Sequence, residues 1–159
     1  MIFRQLFDNA SSTYTYLLAD EHSREAIIID SVFEQSTRDL ALIRELDLKL
    51  QYAIDTHCHA DHVTGAWLMK QKTGCRIGAA KVIGAANVDV ELEHRDVISF
   101  GQHALEVRAT PGHTNGCLTY VTEDQARAFT GDTLLIRGCG RADFQQGNAG
   151  TLYDSISEQ

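Results

Sequence analysis

The sequence predicts an α/β (α+β) domain with mixed, mostly antiparallel sheets, and three observations carry that prediction. Short runs rich in aromatic and β-branched residues recur along the chain between polar turns, as half-buried strands do. The first of these runs follow one another so closely that antiparallel pairing through short connections is favoured. Two longer segments instead repeat apolar residues at intervals of three and four, the period of an amphipathic helix.

Residues 2–7 and 13–19 read as two strands joined by the polar turn Asp8-Asn9-Ala10-Ser11-Ser12. A third strand over 25–30 carries Ile27-Ile28-Ile29 and follows a turn in which His22 is a solvated loop residue. A helix is predicted over about 36–48: Ser36 and Asp39 make a capping-box-like start, and Leu40, Ile43, Leu46 and Leu50 line one face. Tyr52-Ala53-Ile54 is a buried strand, and a second helix follows over 62–73, closed by Gly74. Val63, Ala66, Trp67 and Lys70 share a face of that helix, with Trp67 as a core anchor. Residues 75–78 form a short strand and 79–86 a helical turn, while the acidic stretch 87–96, with His94, reads as a solvated edge. A hairpin comes next, with strands at 96–100 and 103–109 around Gly101-Gln102; His103 has no evident partner. Further strands cover 118–121 and 127–130, and residues 151–157 open a helix with Leu152, Tyr153 and Ile156 on one face.

A chain of 159 residues is about one domain and long enough to bury a core; the whole of 1–159 is read as a single domain. The formal charge of −8, without a basic stripe, argues against a nucleic-acid partner. No run of 18 apolar residues suggests a membrane span. The N-terminal residues have neither the apolar core of a secretion signal nor the Arg and Ser content of a transit peptide. Four cysteines, at 58, 75, 117 and 139, make no C-x-x-C pair, so reduced thiols and a cytoplasmic location are expected.

The chemistry is concentrated after the strand 52–54. Thr56-His57-Cys58-His59-Ala60-Asp61-His62 packs three imidazoles and a carboxylate into six residues, His57 to His62. Imidazoles two apart in an extended segment point to the same side, so His57 and His59 can face one point. Thr110-Pro111-Gly112-His113-Thr114 presents another histidine on a tight turn, and Gly131-Asp132 places a carboxylate after a further strand. Donors this far apart in sequence do not make a finger-type structural zinc site, which uses local pairs, mostly of Cys. Imidazole and carboxylate suit Zn, Fe, Mn or Ni better than Ca or Cu(I). A catalytic metal site is the expectation, with the choice of metal open at this point.

Together these three motifs, spanning residues 56 to 132 in order, resemble the metallo-β-lactamase superfamily. The resemblance implies an αββα sandwich with metal held between the sheet edges. In its thioester-hydrolysing, glyoxalase II-like members all these residues hold two metals and a bridging hydroxide, with a later histidine completing the second site; no histidine follows His113 here. The segment Gly138-Cys139-Gly140-Arg141-Ala142-Asp143-Phe144-Gln145-Gln146-Gly147 resembles the persulfide dioxygenases. By that resemblance His57, His113 and Asp132 hold one Fe(II) per chain as catalytic ligands. They form a two-histidine, one-carboxylate facial set that leaves positions for a persulfide sulfur and O₂. His59, Asp61 and His62 would then orient ligands and bound water by hydrogen bonds. Arg141 is the candidate for binding an anionic substrate, its alternative being a salt bridge to Asp143. Cys139 is expected to be a buried, inert thiol.

The implied reaction converts glutathione persulfide, O₂ and water to glutathione and sulfite, an oxidation by O₂ of the outer persulfide sulfur and a step of sulfide oxidation. Two alternatives stand beside it: a dinuclear zinc thioester hydrolase, and a metal-retaining domain without turnover. Family members continue well past Gln159, so the chain is expected to lack its C-terminal part and some glutathione contacts. An open half-sandwich of that kind invites a homodimer, and a rhodanese-like domain downstream is compatible with the family.

Overall fold

A computed structural model describes residues 1–158. Six strands form one sheet in chain order: β1 (Ile2–Asp8), β2 (Thr13–Ala19), β3 (Glu25–Ile29), β4 (Lys49–Ile54), β5 (Arg76–Ala80) and β6 (Val90–Leu92). Four more form a second sheet in the order β10-β9-β8-β7: β7 (Val97–Phe100), β8 (His103–Ala109), β9 (Leu118–Thr122) and β10 (Ala128–Phe129). The helices are α1 (Ser36–Glu45), α2 (Ala66–Thr73) and α3 (Ala149–Glu158).

The second sheet and the β1–β2–β3 part of the first are antiparallel, while β3, β4, β5 and β6 run parallel. The parallel pairing of β3, β4 and β5 follows from the helices, because a return to the same end of a sheet needs a crossover long enough to hold one. α1 and α2 are the crossovers between β3 and β4 and between β4 and β5. The strand β3 is buried on both faces, which is why its sequence is an unbroken apolar run rather than an alternation. Ile27 and Ile29 point between the sheets, where they join Leu18, Ile54, Phe100, Leu105, Val107 and Tyr120. Ile28 points the other way and packs with Leu17, Ala53, Ile43 of α1 and Met69 of α2. Three layers of the expected αββα sandwich are therefore helix, sheet and sheet. α3 closes one end: Leu152 is buried, and Ser155 Oγ donates to the Pro111 carbonyl at 2.7 Å.

Several expectations need correction. α2 begins at Ala66 rather than at residue 62, because turns occupy the segment before it. That start turns Ala66 and Met69 inward and leaves Trp67 55% exposed, so Trp67 is not a core anchor. The acidic stretch 87–96 contains β6, whose Leu92 is buried between the sheets; a three-residue edge strand is too short to show a period. His103 does have a partner, Glu123 Oε1 at 3.3 Å, and Cys139 is exposed rather than buried. Of the face proposed for α3, only Leu152 is buried, with Tyr153 72% exposed.

Candidate metal centre

Each side chain of the centre sits where a strand gives way to a loop. β4 ends at Ile54 and delivers His57 and His59, the turn before β9 delivers His113, and a 3-10 turn after β10 (Gly131–Thr133) delivers Asp132. One ligand-type atom from each of His57, His113 and Asp132 lies within 4.8 Å of the others. His57 and His113 meet edge to face, with ring centroids 5.0 Å apart, and His113 Nε2 is 3.5 Å from Asp132 Oδ2. Two backbone features permit this closeness. Gly131 adopts a left-handed φ of 49°, and a Cβ there would strike Thr56 Oγ1. A Cβ at Gly140 would sit 2.5 Å from the Asp132 carbonyl oxygen and 2.8 Å from His113 Nδ1.

The donor atoms fit a metal. His113 Nδ1 donates to the Arg141 carbonyl at 2.7 Å, which leaves Nε2 with the lone pair on the side of Asp132. His57 Nδ1 lies 2.9 Å from Thr56 Oγ1. Burial, with repulsion from His59, pushes the His57 imidazole down to about 3, so it is neutral, as a ligand must be.

A second set, His59, Asp61 and His62, also brings its ligand atoms within 4.8 Å of one another. Its members are held by the protein itself. His59 Nε2 is 3.1 Å from Asp30 Oδ1, and the Thr13 hydroxyl donates to Asp61 Oδ2 at 3.0 Å. His62 Nδ1 lies 3.0 Å from the same Asp61 oxygen, whereas its buried Nε2 has no partner. Burial alone would lower His59, but the Asp30 carboxylate beside it, with Asp55, raises it to about 9.

Three residues of this region escaped the sequence reading. Asp30, at the end of β3, is fully enclosed; burial favours its neutral form, yet His59 and the Thr56 hydrogen bonds hold its carboxyl below the usual range. Asp55 is lifted by burial to about 7. Thr56, 1% exposed, stands between Asp30 and His57. An aspartate closing an apolar strand looks like an ordinary turn residue, and only the fold brings it against a threonine 26 positions later. The Arg141 guanidinium does not enter the centre: it is exposed and paired twice with Asp143, at 2.8 and 3.1 Å. Its backbone, not its side chain, touches His113.

The family model for the metallo-beta-lactamase superfamily matches residues 8–159. Over its whole length the chain is 54% identical to the human and mouse proteins named persulfide dioxygenase ETHE1, mitochondrial, and spans 63% of each. The crystal structure of ETHE1 from Myxococcus xanthus superposes with a TM-score of 0.95 at 50% identity, covering 99% of this chain and 69% of that one. A hydroxyacylglutathione hydrolase of Cereibacter sphaeroides is more distant, 31% identical over 92% of the chain and 56% of the relative. The expected cytoplasmic location is overturned by the mammalian relatives, which are named as mitochondrial. Reduced cysteines separate reducing from oxidising compartments and do not distinguish one reducing compartment from another.

Proposed function

We propose, for a chain that belongs to the metallo-beta-lactamase superfamily, the role of the metal-holding part of a persulfide dioxygenase. The observation that carries this reading is the convergence of His57, His113 and Asp132 within 4.8 Å. Two imidazoles and one carboxylate are the donor set of non-haem Fe(II) oxygenases. The 54% identity to proteins named persulfide dioxygenase supports the substrate class.

A ferrous ion, one per chain, would supply free coordination positions and the electrons that activate O₂. The chain's own residues do the remaining work. His57 and His113 offer Nε2 while their Nδ1 atoms stay engaged with Thr56 and the Arg141 carbonyl, so neither ring can turn. Asp132 supplies the negative charge opposite them. His59, Asp61 and His62, held by Asp30 and Thr13, would hydrogen-bond ligands and water beside the metal. The exposed Arg141–Asp143 pair is weak enough to exchange, so a glutathione carboxylate can compete for the guanidinium. Glutathione persulfide and O₂ are the partners this reaction requires, with glutathione and sulfite as products; the reading rests on neither a homodimer nor a rhodanese-like domain.

A second reading, a dinuclear zinc thioester hydrolase, is favoured by one observation: the unpartnered, buried His62 Nε2 in a second ligand-like cluster. Metal analysis and an oxygen electrode separate the two. Iron-loaded protein holding about one iron per chain should consume O₂ when given glutathione persulfide, and an Asp132→Ala variant should not. Two zincs per chain, with thiol released from a glutathione thioester and no O₂ uptake, would establish the hydrolase instead. Flat traces in both assays on fully loaded protein would leave a metal-retaining domain without turnover.

A further inference from the structure

Asp30 is an acceptor only, and it takes two hydrogen bonds from one residue: Thr56 N–H at 2.7 Å to Oδ1 and the Thr56 hydroxyl at 2.9 Å to Oδ2. The hydroxyl has a single proton, and that proton points at Asp30. Facing His57, Thr56 Oγ1 therefore has only lone pairs to offer, and the 2.9 Å contact must be a bond donated by His57 Nδ1–H. We propose that Asp30 and Thr56 are positioning residues that hold His57 in its Nδ1–H form and so present the Nε2 lone pair to the metal. The inference rests on His57 being a ligand, as proposed above.

The surroundings leave this arrangement little freedom. Thr56 is 1% exposed, its carbonyl accepts Leu118 N–H at 2.7 Å, and Gly131 packs directly on its hydroxyl. Asp30 is itself anchored, since its N–H donates to the Ile54 carbonyl at 3.0 Å and its carbonyl accepts the Thr15 hydroxyl at 2.7 Å. The backbone of Asp30 takes a left-handed φ of 52°, a conformation aspartate tolerates better than most residues. Without the hydroxyl, a neutral imidazole has no acceptor at Nδ1 and is free to carry its proton on Nε2, the atom the metal needs bare.

The test is a long-range ¹H–¹⁵N spectrum of histidine-labelled, metal-free protein, with Fe(II) affinity measured anaerobically by calorimetry. Wild type should show His57 protonated at Nδ1. Thr56→Val, which keeps the shape, should shift the proton toward Nε2 and weaken Fe(II) binding by about 10- to 100-fold. Thr56→Ser should restore both. A purely structural threonine would be rescued equally by Val, so the contrast between Val and Ser isolates the hydroxyl. If Thr56→Val does not fold, the wild-type spectrum still decides: His57 protonated at Nε2 overturns the proposal. A Thr56→Val protein with an unchanged spectrum and unchanged affinity does so as well. If instead the proton moves in Thr56→Val but wild type and His57→Ala bind iron equally, the relay stands and the ligand assignment fails.

Discussion

The carbonyl oxygen of Arg141 accepts the Nδ1–H of His113 at 2.7 Å, so the loop after Asp132 reaches the candidate metal centre through its main chain. The two kinds of substitution in that loop should therefore separate. Arg141→Gln keeps the carbonyl and should leave metal content unchanged, with any loss appearing in KM for an anionic substrate. Gly140→Ala pushes a methyl against the Asp132 carbonyl and His113 Nδ1 and should weaken metal binding by about 10-fold or more. Elemental analysis after dialysis against graded chelator reads both.

Metal should also report as stability, because an ion that binds only the folded chain raises its unfolding free energy. At free metal 100 times Kd the gain is about 2.7 kcal/mol. Thermal midpoints should rise with added Fe(II) in anaerobic buffer and fall on chelation in wild type. Asp132→Ala should show a midpoint indifferent to both, and a metal-dependent midpoint in that variant would count against Asp132 as a ligand.

Much of this centre was legible because its residues end strands, and strand ends leave marks in a sequence: an apolar run and then, within a few residues, a polar donor. His57, His113 and Asp132 all carry that mark. Asp30 carries it too, after Ile27-Ile28-Ile29, but without a histidine beside it the same pattern is simply a turn. Thr56 was hidden for a different reason, since a hydroxyl becomes informative only when its two partners are known. Trp67 shows how a boundary error propagates: moving a helix start by four residues changes which side chains an apolar stripe is read to contain. The parallel pairing of β3, β4 and β5 is set by the two helical crossovers and is invisible in the short spacing of the first strands.

Gly112 lets α3 dock beside the centre. With φ at 139°, a Cβ on it would collide with the Leu152 backbone, and its carbonyl accepts Asn148 N–H at 2.8 Å. Gly112→Ala should destabilise the chain by about 1–3 kcal/mol through overpacking, measured by urea denaturation. Leu152→Ala should cost about 2–5 kcal/mol if the same contact is a packed one.

Tyr120 lies wholly between the sheets and its hydroxyl donates to the Asp55 carbonyl at 2.7 Å, just before the histidine cluster. Tyr120→Phe removes the donor and strands a carbonyl, at a cost of about 1–3 kcal/mol in denaturation. An unchanged midpoint would mean that water reaches that carbonyl.

Asp20 gives a pH prediction remote from the metal. Its carboxylate accepts His22 N–H at 2.8 Å and Gln102 N–H at 2.7 Å, tying the β2–β3 turn of one sheet to the β7–β8 turn of the other. Those hydrogen bonds hold its carboxyl down at about 2, against 3.8 ordinarily. Between those values the unfolded chain binds the proton more readily than the folded one, so folding stability rises with pH across that window. The contribution is complete above the ordinary value and disappears as pH falls toward about 2. Asp20→Asn cannot titrate and should show a shallower fall in urea midpoint between pH 5 and pH 2 than wild type. Parallel slopes for the two proteins would mean that the Gln102 turn is held by Glu25 Oε2, which accepts Gly101 N–H at 2.6 Å, and not by Asp20.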